Sequence, residues 1–472
     1  MSLRRHPYFH IFLFFGIDYY PEVCYNTNVS FSFGSAKLSF ALHSVICIGM
    51  QMALFLFLAS FPGIKPAVPT RGLLAFVIYQ GGDPVRKERS IFMRKSCYDS
   101  HFTTFGDYGE MLEYHRELTK SSLWARTQVR DLEVEPLSMS SPLFGSLGSF
   151  ATGTSIEAVA DTAANLGLAI RVNGQLYPAR DTAYKSLLDR AKIGGTALPK
   201  LGRDVLANVL NACLKLFGAE ALVLIRDEKV TAVHSGDSAD YSVLPIDALM
   251  TTLQEKLDDR FPGNLFKTGY SDHAITSAEW TMPAQKDDLL GAYAKMLDAN
   301  GHGTMAKKLV PGVRFSTSDA GVASAKVSAM LMGAQYPILI GGCISVDHRH
   351  QSTVADFTTA LDQLFAQYGD NIAKLMRLQE IELEYPVNAM TRVCKKLSMP
   401  KKAAIEAIQM YEMAYGSGPA TAHDVFIAMQ EIPFILKTEK VPESKILTLQ
   451  ENMARALTIK WSDFDLAKAV SY

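Results

Sequence analysis

Residues 310–350, VPGVRFSTSDAGVASAKVSAMLMGAQYPILIGGCISVDHRH, constrain the fold more than any other stretch of the chain. They read as three strands in succession, with small residues at the bends and a cluster of polar, ring-bearing side chains at the far end. Strands joined by such short bends belong to one sheet, and a sheet must bury a face against a second layer.

The residues before this stretch supply that layer and further strands. AIRVNGQLYPA carries Asn173-Gly174 between alternating residues, the strongest hairpin signal in the chain. A helix is expected after Thr154 or Ser155, with Glu157 in its first turn, and a helical pattern over 182–217 breaks at Gly194-Gly195. Residues 221–227 and 230–236 form two strands across a Glu228-Lys229 turn. Pro245 opens a helix with Ile246, Leu249, Met250, Leu253 and Leu257 on one face. Residues 265–283 read as a long strand or hairpin, and 285–301 as a second amphipathic helix. From 354 onwards the pattern is helical, punctuated at Pro400, at 416–419 and at Pro442. The expected class is α+β: a mixed, largely antiparallel sheet with packed helices, followed by an all-helical C-terminal region.

The first 92 residues differ from the rest. From 40 to 61 there is no Lys, Arg, Asp or Glu, and the run is long enough to cross the roughly 30 Å apolar core of a bilayer. A membrane anchor is one reading. Upstream sequence translated into the protein is the preferred one, because an ordinary polar N-terminus leading into a helix starts at Met93. The expected organisation is 1–92 as this apolar segment, 93–153 as a helical lead-in and Ser/Gly-rich linker, 154–350 as the α+β core, and 351–472 as the helical region. A chain starting at Met93 has no membrane contact.

A net charge of −1 gives no global field toward nucleic acid or anionic lipid, so any such binding must be local. The six cysteines form no CxxC pair and no disulfide framework, which points to reduced thiols in the cytoplasm.

No strong catalytic motif is present, and no catalytic residue or cofactor is assigned. Gly301-His302-Gly303 follows a helix rather than a strand and reads as a loop. His348 and His350 would share one face of a strand opposite Asp347 and Arg349, making them weak metal candidates; a solvated strand end before a helix cap is the simpler reading. His234, Asp237, Asp240, Asp272 and His273 sit at turns, where local hydrogen bonding accounts for them. Arg226, Lys267, Arg314 and Lys326 lie on or beside strands with Phe266, Tyr270, Phe315 and Trp280 nearby. With Arg349 they are the candidate contacts to a single nucleic-acid strand, cations for phosphates and rings for bases.

GVRFSTSDAGVASAKVSAML resembles the hallmark region of the phage and plasmid family known as domain of unknown function 932. Ser318, Asp319 and Gly321 match that family's short Ser/Asn-Ser-Asp/Glu-x-Gly motif, and the likeness extends coarsely over 95–470. A Cys-x-Asn-Gly-like turn common in the family is replaced here by Leu331-Met332-Gly333-Ala334. The resemblance implies a mobile-element setting and no established activity.

The leading expectation is a cytoplasmic protein of DNA metabolism that binds nucleic acid without covalent chemistry. Single-strand annealing by a homo-oligomer, with no nucleotide cofactor, suits it. A virion component or a counter-defence protein that binds a host factor is the second class, and a metal-dependent hydrolase built on the histidines is the third.

Overall fold

The computed structural model describes residues 97–148, 153–333, 337–341 and 343–472, together with an N-terminal antiparallel hairpin, β1 (Thr27–Phe33) and β2 (Ala36–Leu42). The chain divides into two units, Met1–Lys87 and Glu88–Tyr472. Beyond Leu42 the apolar stretch 40–61 lies outside the described residues. Among the described residues no helix is long and apolar enough to cross a membrane.

In the second unit the first half runs β3 (Phe102–Phe105), α1 (Tyr108–Ser121), β4 (Leu123–Gln128), β5 (Glu133–Pro136), α2 (Pro142–Leu147), α3 (Ile156–Ala164), β6 (Leu168–Val172), β7 (Gln175–Pro178), α4 (Asp181–Ala191), α5 (Arg203–Leu214), β8 (Glu220–Arg226) and β9 (Lys229–Ser235). Then follow α6 (Ile246–Arg260), β10 (Leu265–Asp272), β11 (Thr276–Thr281), α7 (Lys286–Ala299), α8 (Gly303–Lys308), β12 (Val310–Thr317), β13 (Ala325–Met332), β14 (Pro337–Leu339) and β15 (Ile344–Val346). The last part comprises α9 (Val354–Ala366), α10 (Tyr368–Arg377), β16 (Glu382–Leu383), α11 (Pro386–Lys396), α12 (Lys401–Tyr415), β17 (Ala420–Thr421), α13 (Ala422–Met429), α14 (Glu431–Thr438) and α15 (Glu443–Ala454). The class is α+β, with antiparallel sheets packed by helices and a helical C-terminal region.

Local chemistry sets the turns. Asn173 and Gly174 take φ of 50° and 84°, both left-handed, which turns β6 into β7 in two residues. Between β8 and β9 the turn is made by Asp227 and Glu228, at φ 49° and 67°. It therefore falls one residue earlier than the sequence suggested, and Lys229 opens β9. Ser155 caps α3 by accepting the Ala158 N–H, as its side chain type favours. The Ser/Gly-rich segment contains the short helix α2, and Gly303 begins another, α8, where a loop was expected.

The main sheet runs β14-β13-β12-β11-β10-β3, all antiparallel, with β15 pairing the other end of the β13 edge that β14 occupies. Ala278, Trp280, Val313, Phe315, Val327 and Ala329 alternate onto one face and are fully buried. That face meets the apolar row of α6 and Phe357, Leu361, Leu364 and Phe365 of α9 in one core. The same core continues through α10–α15 to Trp461, so the helical region completes the sheet's hydrophobic layer rather than hanging from it as a tail. Two smaller sheets, β4-β8-β9 and β5-β6-β7, are linked by a parallel bridge between Ala179 and Val230 and enclose a second core.

Candidate functional site

The strand ends nearest the β12–β13 bend bring together residues that are far apart in the chain. β9 delivers His234, the following loop delivers Tyr241, the end of β12 delivers Thr317, and the bend after β15 delivers His348. Two backbone strips are zipped together here: Ser242 N–H donates to His348 O, and His350 N–H donates to Ala239 O, at 2.8 and 2.7 Å. The His234 and His348 groups flagged in the sequence thus meet in space, whereas Asp272 and His273 lie apart from them at the β10–β11 turn.

Their rings stack. Tyr241 lies parallel to His234 at 3.6 Å between centroids and to His348 at 5.6 Å, while Trp124 flanks His234 and Tyr241 at 6.0 Å. Burial pushes the His234 pKa down to about 4 and lowers that of His348, so both rings are neutral near pH 7. Each tautomer follows from its partners. His234 Nε2 is 2.8 Å from the Asp319 carbonyl, which can only accept, so Nε2 carries the hydrogen. His348 Nδ1 faces the Ser242 carbonyl and therefore donates, leaving Nε2 to accept from the Thr317 hydroxyl. With both ring nitrogens of His348 engaged, this ring has no free lone pair for a metal. His350 is exposed, lies beyond the end of β15 and takes φ of 57°, so the two imidazoles do not line one strand face. Among the described residues no group of three or more His, Cys, Asp or Glu is placed to hold a metal ion.

The Ser318-Asp319-Ala320-Gly321 turn locks this cluster. Ser318 Oγ donates to the Ala274 carbonyl and accepts the N–H groups of Ala320 and Val322. Asp319 pairs with Arg226 at 2.6 Å, both side chains nearly buried, and Arg226 Nε also donates to Ser122. Gly321 takes φ of 73°, and a Cβ there would sit 3.1 Å from His234 Cε1, so glycine meets both a backbone and a space requirement. The motif that carries the family resemblance thus has a structural duty in this chain. Above the rings opens a cleft of about 550 Å³, bounded by α4, residues 320–326 and residues 347–349.

A larger groove of about 1270 Å³ adjoins it, sharing Thr182, Lys185 and Val322. Its floor is the other face of the main sheet. In cross-strand register Thr104, Tyr270, Ser277 and Ser316 form one row, and Thr268, Glu279 and Arg314 the next. Phe102, 55% exposed, stacks on Tyr270 with centroids 5.7 Å apart and planes at 21°. The turn from α14 to α15 forms one wall with Phe434, Lys437, Lys440 and Lys445, and Lys185 of α4 stands on another.

Those four lysines are exposed and hold no ion pair among the described residues. The lining carboxylates are mostly engaged. Glu279 pairs with Arg314 at 2.8 Å, Asp99 with Arg180 and Lys229 at 3.1 Å, and Asp181 with His273 at 2.9 Å. Asp272 accepts from the Tyr270 hydroxyl and from two backbone N–H groups.

The basic residues singled out in the sequence do not share one surface. Arg314 is 5% exposed on the groove floor, bound to Glu279 and Gln450. Arg226 is buried against Asp319, while Lys326, paired with Glu451, and Arg349 line the smaller cleft. Lys267 is exposed at a bulge in β10 and lines neither cavity. Trp280 and Phe315 lie in the core, and only Tyr270 of the expected rings reaches the groove. Phe102, Lys437, Lys440 and Lys445 were missed because the groove's walls come from the start of the described body and from its last helices. No family model, no curated protein and no solved structure matches this chain.

Proposed function

We propose that the groove binds a single nucleic-acid strand without covalent chemistry. The observation that carries this reading is the stack of exposed Phe102 on half-buried Tyr270, on a polar sheet face of Ser and Thr with the Glu279–Arg314 pair, bordered by four lysines that lack carboxylate partners. Ring faces accept any base, and lysines track phosphates without reading sequence. His348 has both ring nitrogens engaged and no group of three or more ligands is placed to hold a metal ion among the described residues, which favours binding over a metal-dependent cleavage. Resemblance to a mobile-element family adds a setting but no activity, and strand annealing by several assembled copies is a fold-level analogy compatible with this reading.

The reading is tested by anisotropy of a labelled oligothymidylate. The wild-type protein binds it at low salt, and Phe102→Ala and Tyr270→Ala each weaken binding by about 1–3 kcal/mol, the worth of one stacked base. Replacing Lys437, Lys440 and Lys445 with glutamate abolishes it. A folded wild-type protein that leaves the strand free refutes the proposal and favours a virion or protein-interaction role, which a self-assembled particle indifferent to DNA would support.

A further inference from the structure

Arg190, in the last turn of α4, faces the smaller cleft with its Nε buried and without a hydrogen-bond partner. No carboxylate pairs with its guanidinium among the described residues. A buried cationic donor without an acceptor is unfavourable unless one arrives from outside. Lys185, five positions earlier on the same helix, and Arg349 on the opposite loop also line the cleft without ion pairs among the described residues. Two of the cleft's three carboxylates already take hydroxyl donors: Asp240 from Ser235 at 3.1 Å and Asp347 from Ser324 at 2.5 Å. Those hydrogen bonds leave both carboxylates charged, as is Asp189, but none of the three pairs with Arg190, Lys185 or Arg349 among the described residues, so the Arg190 guanidinium still faces the cleft without an acceptor.

We propose that this cleft binds a phosphate monoester, supplied by the phosphorylated end of the strand held in the adjoining groove. The inference rests on the nucleic-acid reading of that groove. A terminal monoester carries about −1.5 to −2 charge at neutral pH, more than the single charge of each internal phosphodiester, and presents acceptor oxygens to an arginine fork. A volume of about 550 Å³ accommodates one nucleotide. Lys185 and Val322 border both cavities, so a strand leaving the sheet face passes directly from one to the other. The groove would then hold the run of bases while the cleft measures the end.

The test compares short oligothymidylates with 5′-phosphate, 3′-phosphate or hydroxyl ends on the full-length protein and on Arg190→Gln, with a free nucleoside monophosphate titrated in parallel. One phosphorylated end is expected to bind about tenfold tighter than the hydroxyl-ended strand, corresponding to one charge-assisted hydrogen bond. Arg190→Gln removes that advantage and leaves hydroxyl-ended affinity unchanged. Equal affinities for all three ends in the wild type overturn the inference while the groove reading stands. If no strand binds, the groove reading fails, and the mononucleotide decides for the cleft. Binding that Arg190→Gln abolishes assigns the monoester to a free nucleotide, and absence of binding overturns the site.

Discussion

Asp319 and Arg226 neutralise each other where neither reaches water freely, and the pair ties the β12–β13 bend to β8. Removing one partner of a buried ion pair leaves the other charge stranded, at roughly 3–5 kcal/mol. Asp319→Ala is therefore expected to lower the urea midpoint sharply, and a loss under about 1 kcal/mol would show that water already screens the pair. The rings beside it make a pH prediction. Burial pushes His115 down to about 3 and His234 to about 4, from 6.5. Between those values and 6.5 the unfolded chain takes up protons that the folded chain refuses. Stability from these residues is complete above pH 6.5 and declines as pH falls toward 4, on the order of 3 kcal/mol for each histidine. Chemical denaturation at stepped pH checks this, and a midpoint constant from pH 7 to pH 4.5 would contradict it.

At the scale of elements, Tyr368 shows how the helical region grips the sheet. Its hydroxyl lies 3.0 Å from Gly312 N, 3.2 Å from Gly312 O and 2.7 Å from Met330 O, joining α10 to β12 and β13 beside Pro311, which has no N–H to offer. Tyr368→Phe keeps the ring and deletes those bonds, so a loss of about 1–3 kcal/mol is expected by urea denaturation, and an unchanged midpoint would refute the role. Elements governed by neighbours in sequence were legible. The Asn173-Gly174 hairpin, the Ser155 cap and the apolar row of α6 all depend on residues within a turn or two of one another. The ring stack was not, because His348 bonds Ser242 across 106 positions and no local pattern reports that distance. Lys229 misled for the same reason. A lysine next to a turn reads as solvated, yet here it is fully buried and paired with Asp99 and Asp161 from two other segments.

For the whole molecule, the helical C-terminal region has two duties: it finishes the core behind the sheet, and through the α14–α15 turn it walls the groove in front. Sequence composition hid the second duty. The near-neutral chain places four lysines without ion pairs around the groove while most of the carboxylates lining it are engaged, a matter of placement rather than count. Lys437 also lies in the last turn of α14, where a cation suits the helix dipole, so part of its presence is explained without any ligand. The most direct measurement is the salt dependence of single-strand binding by the full-length protein and by the Lys437→Gln/Lys440→Gln/Lys445→Gln variant. Each phosphate neutralised on a single strand contributes about −0.7 to the slope of log affinity against log salt. Four groove lysines predict a slope near −3 for the wild type and about −1 for the triple variant. A flat wild-type slope, or one that the variant leaves unchanged, would contradict the placement of the strand in this groove.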